Sequence, residues 1–482
     1  MKMCGRFLSD EEKLLIHNES IRILNETGVR FPSERVLAML ERDGAQIDWD
    51  RQVAFISADM VRRALAASPK SFVLGARNPV YDLRLPSSST VYNLDGCGVK
   101  TLDYRTGIRR PAVLKDVAEA AMVFEEMDLG RVHWSPVSPH DVPAEAAGLS
   151  ATAVSFMHTS KHVQDEVQDP AEVPYIIEMA RAILGDMDSV RNRKIYSVTY
   201  CTVAPLSHDA DMLEGTMDLA GYGVPVLVYP MPACGTTGPA SLYSNVAMAN
   251  AEALSAVVAF QLAAPGTPLI YGSALGVVNV RSGLFLEGTP ETMLQIGAMG
   301  EMARYYGLPC MSAGCLSDAK LPGMQSVLEK TLTTLPLVLS GVDVVQGIGL
   351  IESSMTLSLP HIVIDNEIGR LCARIRQGID VSEEKNHYDD IIEVGQGGHF
   401  LKQKSTRKVF RSDEFYQSEL CDRSSYDEWE QLGRPDMIEK ASGKVDAILN
   451  SEMKCPLPKD VEKALREITE EAGRKLGEKE RR

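Results

Sequence analysis

The sequence predicts an α/β fold, a (β/α)8 TIM barrel with an N-terminal extension of helices and short strands and a C-terminal helical extension. Three observations predict it. From about residue 113 onward, short apolar runs alternate with segments of helical period, the pattern of a parallel sheet with crossover helices. No Gly-rich phosphate turn follows an early strand, as a doubly wound open sheet, the competing architecture, would normally show. The 482 residues accommodate a barrel of roughly 250 residues with additions at both ends.

The elements follow in order. Segment 10–26 opens on Ser9 with Glu12 three residues on, a capping box, and carries Leu15, Ile16, Ile23 and Leu24 on one face. A helix over 33–42, a strand over 53–56 and a helix over 58–67 precede the Pro/Ser-rich break at 85–89. Segments 91–95 and 99–104, joined around Gly96 and Gly98, read as a hairpin. Apolar runs at 132–137, 162–168, 194–201, 225–229, 268–271, 309–312 and 342–345 supply seven strands. Helical segments at 210–219, 242–262, 291–305, 325–339 and 362–375 lie between them. The eighth strand falls either in the hairpin or beyond Ile391. The expected division is 1–90 for the N-terminal extension, 91–394 for the barrel and 395–482 for the C-terminal extension, which ends in a long charged helix over 458–482, a solvated or docking element.

Composition narrows the function classes. Hydrophobic residues at 44% and charged residues at 24% are the balance of a chain that buries a large core. A net charge of -16 opposes a nucleic-acid or anionic-membrane partner, and the short basic stretches 105–110 and 402–411 read as solvated faces. Nine cysteines show neither a C-x-x-C pair nor a regular framework, so reduced thiols are expected. The start, 1–13, turns acidic before any apolar stretch develops. No run approaches the ~18–20 apolar residues of a membrane span, and a cytoplasmic location is expected.

In a barrel, function collects where the strands end at their C-terminal side. Those positions supply Trp134 with Ser135, Gln164 with Asp165, Tyr200 with Cys201, Tyr229, Tyr271, Ser312 and Gln346, predicting a mouth of aromatic and neutral polar groups with few charges. Such a lining suits an ammonium that has no N–H to donate and is held by aromatic faces. Neither H-E-x-x-H nor G-x-S-x-G occurs, and His158 and His162, four residues apart, straddle a helix end, so no metal site and no serine hydrolase elbow is expected.

Segment 316–330, LSDAKLPGMQSVLEK, resembles the loop of the trimethylamine methyltransferase family in which founding members carry pyrrolysine, a run of the form T-D-A-(pyrrolysine)-x-P-x-x-Q-x-x-x-E-K. Lys320 falls at the pyrrolysine position, with Pro322, Gln325, Glu329 and Lys330 matching around it. Further stretches, at 106–112, 288–291, 303–309, 363–368, 398–401, 410–411 and 427–429, extend the resemblance over most of the chain. It implies methyl transfer to Co(I) of a separate corrinoid protein, with no permanently bound cofactor. Because Lys320 lacks the electrophilic imine of pyrrolysine, the chain is similar to the branch that demethylates betaine-like quaternary amines: glycine betaine, proline betaine, carnitine or γ-butyrobetaine. Within that reading Tyr92, Tyr229, Tyr271 and Phe285 are cage candidates, and Arg281 is the candidate anchor for a substrate carboxylate. Gln346 and Glu352 are further substrate-binding candidates, and Lys320 is the one possible catalytic group. A corrinoid-to-tetrahydrofolate methyltransferase and a noncatalytic quaternary-amine binding protein remain alternatives, and a homo-oligomer is expected.

Overall fold

The structure, a computed structural model, describes residues 4–480. Eight parallel strands close a barrel: β1 (Val91–Leu94), β2 (Gly130–Trp134), β3 (His162–Asp165), β4 (Tyr196–Cys201), β5 (Val226–Tyr229), β6 (Leu269–Ser273), β7 (Cys310–Ala313) and β8 (Val344–Ile348). A principal helix follows each strand: α1 (Leu114–Glu125), α2 (Ala147–His158), α3 (Val173–Leu184), α4 (Ala210–Gly221), α5 (Leu242–Ala263), α6 (Pro290–Tyr305), α7 (Met324–Ser340) and α8 (Leu359–Gln377), with a short second helix, Met187–Arg193, between α3 and β4. The seven expected strands are β2 to β8. The eighth is the first half of the expected hairpin, but it is not in a hairpin. Val91–Leu94 pairs in parallel with β8 and β2, while Lys100–Leu102 pairs antiparallel with Arg109–Pro111. A four-residue run next to glycines looks locally like one arm of a turn; its true partner lies some 250 residues away in sequence.

Closure is achieved with a register shift between Gln346 and Ile348, where β8 meets β1. Gly347 sits there with φ 131°, and a Cβ on it would lie 2.0 Å from the Gly314 carbonyl oxygen. Only glycine fits this bulge, which re-aims the chain as it leaves β8. Below the mouth the barrel is filled by a polar network. Asn93 Nδ2 donates to Gln164 Oε1 (2.8 Å), Gln164 Nε2 donates to Ser197 Oγ (3.0 Å), and Asn93 Oδ1 accepts the Trp134 backbone N–H (3.0 Å).

The extensions complete the helical layer. α5 is long and apolar enough to pass for a membrane span by length and composition, which the sequence reading did not anticipate. It is apolar all round because it is covered on both sides, by the barrel and by helices Asp10–Arg22 and Ala58–Ala67 of the N-terminal extension. Ser20 Oγ donates to the Ala247 carbonyl across that contact (2.8 Å). The Ser9–Glu12 capping box forms as expected. At the other end, helix Met437–Leu449 lies against α8 and α1. The closing helix, Lys459–Glu480, is docked along α2 and α3 with Leu465, Ala472 and Leu476 buried. The last two residues of the expected helix, like the first three of segment 1–13, lie outside the described residues.

Gly347→Ala is expected to lower unfolding free energy by about 2–4 kcal/mol, since the new methyl meets a carbonyl in a conformation alanine does not adopt. Chemical denaturation measures it; an unchanged midpoint would show that the bulge has another, unstrained form.

Candidate active site

The loops after β7 and β8 are held from beneath by a buried ion pair. Lys330, on α7, places Nζ 2.8 Å from Asp365 Oδ2, on α8, and donates to the Cys315 carbonyl (2.8 Å). The same carboxylate oxygen accepts the Gly349 N–H (2.8 Å). Burial would discharge Lys330, but the Asp365 carboxylate outweighs it and keeps the ammonium pKa above its ordinary value; burial likewise opposes Asp365, which Lys330 holds below the usual carboxylate range. Above the pair, Asp318 accepts from the Glu287 N–H (2.8 Å), the Gly288 N–H (3.1 Å) and Ser353 Oγ (2.8 Å). Glu329 accepts from Ser317 Oγ (2.7 Å) and the Asp318 N–H (2.9 Å). These contacts tie the loops after β6, β7 and β8 into one body.

That body forces an unusual turn. Glu352, Ser353 and Ser354 are consecutive left-handed residues, with φ of 60°, 52° and 59°, a conformation rare outside glycine and persisting where surroundings over-determine it. The turn delivers Ser354 Oγ to two buried carboxyls, 2.6 Å from Asp95 Oδ2 and 2.8 Å from Glu287 Oε2. A hydroxyl has one hydrogen, so it cannot donate to both. One of the two acids must donate back, which means it carries a proton. Burial, reinforced by the neighbouring Asp95, raises Glu287 to about 8, and burial also raises Asp95.

Around this pair stand Tyr229, Cys97 and Cys201, close enough that the Tyr229 phenol feels Asp95, Cys97, Cys201 and Glu287. Burial lifts both thiols well above their ordinary range, so they are neutral. Trp134 meets Tyr229 edge to face, with ring centroids 6.4 Å apart. Gly96 lies against the indole, where a Cβ would come within 1.9 Å of Trp134 Cε2. The indole N–H donates to Asp165 Oδ1 (3.3 Å), and Thr152 Oγ1 donates to Asp165 Oδ2 (3.0 Å). Beside the mouth an open cavity of about 750 Å³ is lined by Trp134, Ser135 and six acids, Glu145, Asp165, Glu166, Asp169, Glu172 and Asp211; no lysine or arginine lines it. Burial raises Asp165 and Glu172 to about 7. No group of three or more His, Cys, Asp or Glu side chains among the described residues is arranged to hold a metal ion.

The expected site residues are distributed unevenly. Tyr229 stands at the mouth. Gln346 is level with Asn93 in the register, buried, with both ends of its amide unpartnered. Tyr92 and Tyr271 fall on the other side of the strand alternation. Tyr92 packs on α8, where a Cβ on Gly369 would lie 2.7 Å from its ring; Tyr271 donates its hydroxyl to Asn250 Oδ1 on α5 (2.5 Å). Phe285 is half-buried in a small hairpin, its ring against Gly276, and Arg281 is exposed at the tip of that hairpin. Glu352 is taken by Arg109 Nε (2.7 Å) and Thr356 Oγ1 (2.6 Å). Lys320 is exposed on the rim and donates to the Asp318 carbonyl (2.5 Å). Contrary to the expectation of few charges, the mouth holds Asp95, Asp165, Glu166 and Glu287. Asp165 is the last residue of β3, Asp95 and Glu166 directly follow strand ends, and Glu287 lies in the loop after β6; of the four, only Asp165 is among the strand-end residues that the sequence assigns to the mouth.

A family model described as trimethylamine methyltransferase (MTTB) matches residues 4–477. Trimethylamine methyltransferase MttB of Desulfitobacterium hafniense is 30% identical over 469 residues, covering 97% of this chain and 94% of that protein. Its counterpart in Methanosarcina barkeri is 31% identical over 471 residues, with coverage of 97% and 94%. A glycine betaine methyltransferase of Desulfitobacterium hafniense is 29% identical over 475 residues, covering 98% of each.

Two outcomes are expected. Asp365→Ala strands a buried ammonium and lowers unfolding free energy by about 3–5 kcal/mol, read by denaturant titration against wild type. As pH rises through 7 and then 8, Asp165 and Glu287 ionise, the mouth becomes more negative, and tetramethylammonium binds about tenfold more tightly. Calorimetry across that range checks the sign; affinity that falls with pH contradicts the assignment of these acids to the mouth.

Proposed function

The chain belongs to the trimethylamine methyltransferase family, and on that premise we propose that it moves a methyl group from a small quaternary amine to Co(I) of a cognate corrinoid protein. The observation that carries this reading is the barrel mouth itself, where Trp134 and Tyr229 meet edge to face beside buried acids. The relatives are named for trimethylamine and for glycine betaine, donors that share a methylated nitrogen. Lys320 in place of pyrrolysine favours a donor that needs no electrophile to activate it. A quaternary amine meets that condition. The cobalt electron pair forms the new bond to the methyl carbon, the C–N bond breaks with its pair going to nitrogen, and a neutral tertiary amine leaves.

The chain's own residues hold and desolvate the cation. Aromatic faces bind an ammonium without hydrogen bonds, and the buried side chains of Trp134 and Tyr229 shield the methyl groups held against them from water. An ionised carboxylate touching the ammonium would stabilise the ground state more than a transition state in which the charge is fading. Burial answers this in part by keeping Glu287, raised to about 8, protonated at neutral pH. The exposure of Lys320 supports a contact between it and the incoming corrinoid protein. The exposed tip position of Arg281 gives no support to its role as a carboxylate anchor.

The test is to incubate the protein with Co(I) cobalamin and, separately, tetramethylammonium, choline, glycine betaine and trimethylamine, following methylcobalamin by absorbance. Formation with a quaternary amine is the expected result; formation with none of the four overturns the reading. Trp134→Ala is expected to lower kcat/KM by about 30-fold, the worth of one desolvated cation–π contact, with the far-ultraviolet circular dichroism of wild type.

A further inference from the structure

We infer that the donor is a quaternary amine whose remaining substituent carries no anion, an alkyl or hydroxyalkyl trimethylammonium rather than a betaine. The inference rests on the methyl-transfer reading and narrows its substrate class. The mouth and the adjoining cavity present carboxyls, thiols, rings and neutral polar groups; the cavity lining contains six acids and one histidine, His140, and neither lysine nor arginine. Four cations on the loops around the mouth are committed or remote. Lys330 is held between Asp365 and the Cys315 carbonyl. Arg109 is held by Glu352 and Thr356. Arg281 is exposed at the tip of its hairpin, and Lys320 on the rim is turned to the Asp318 carbonyl.

A betaine brought here would set its carboxylate among Asp95, Asp165, Glu166 and Glu287 with no lysine or arginine in the lining to receive it, and a desolvated carboxylate without a charged partner is strongly disfavoured. Neutral partners, by contrast, are in supply. Ser135 lines the cavity with its Oγ buried and unpartnered, the residue being 5% exposed. Gln346, 1% exposed, leaves an amide donor and an amide acceptor unsatisfied at the level just beneath Asp95. Buried polar groups normally find partners, and a hydroxyl, which both donates and accepts, matches these two. Discrimination then comes from repulsion as much as from attraction: the ionised share of these acids, which grows as pH rises through 7 and 8, draws the ammonium and rejects the anionic tail.

Choline, tetramethylammonium, glycine betaine and carnitine are compared by methylcobalamin formation from Co(I) cobalamin and by calorimetric binding to the protein alone. The expected result is kcat/KM for choline and tetramethylammonium about a hundredfold or more above that for the two betaines, with the same order in affinity. Asp165→Asn is expected to weaken choline several-fold at pH 8 and leave glycine betaine no weaker, a change of selectivity that mere loosening of the fold does not produce. Betaines turned over as well as choline overturn the inference and leave methyl transfer standing. Tight choline binding with no methylcobalamin from any of the four overturns methyl transfer and leaves the ligand class standing. Failure of both choline and tetramethylammonium to bind overturns the inference outright.

Discussion

Lys330 and Asp365 are both fully buried, and an ion pair in that position decides where everything above it can lie. Removing two charges from water is costly, so the pair is a weak source of net stability and a strong source of geometry, because any arrangement that separates the partners is far worse. Here it fixes α7 against α8 and, through the Cys315 carbonyl and the Gly349 N–H, fixes the exits of β7 and β8. Asp318 and Glu329 then extend the constraint to the loop after β6. Three of the stretches that carry the family resemblance, 288–291, 316–330 and 363–368, supply pieces of this assembly.

The charge state of the mouth follows from the same constraint. The left-handed run from Glu352 to Ser354 exists because its N–H groups are claimed by the carbonyls of Ala319 and Ser317 (2.8 and 2.9 Å), and it drives one hydroxyl between two acids. The hydrogen-bond count then requires a shared proton there. Water-filled acidic clefts attract cations by being ionised; this one is deep enough that part of its acid is stored in neutral form, with the thiols of Cys97 and Cys201 also neutral. A cation entering would displace protons, so binding and proton release are linked.

The barrel was legible in the sequence because parallel strands buried on both faces read as short apolar runs separated by helical period, and seven were found on that ground. β1 was not, since four residues beside Gly96 and Gly98 resemble a turn, and nothing local reveals a partner in β8. The same limit applies to faces. A Tyr at a strand end is equally compatible with either side of the sheet, and the one-residue phase that sends Tyr229 inward and Tyr92 and Tyr271 outward is set by packing on α5 and α8. Loop residues were harder still. Glu287 reaches the mouth only through the Asp318 contacts of its backbone, and Glu352, one residue before Ser353 in the same turn, is consumed by Arg109. α5 shows the opposite case: a composition suited to lipid is explained by two protein layers that only the three-dimensional arrangement supplies.

The docked C-terminal helix has a consequence for the order in which the protein becomes competent. Leu476 forms part of the cavity wall, and Gly473 passes so near Ala146 that a Cβ would lie 3.3 Å from it. The barrel itself is closed once β8, ending at Ile348, pairs with β1. During synthesis from the N-terminus the chain therefore completes its scaffold well before it completes its binding chamber. A product shortened within the last helix would retain the closed barrel, and with it most of the spectroscopic signature of folding, while lacking one side of the vessel. For this protein, intact secondary structure is a poor certificate of a finished site.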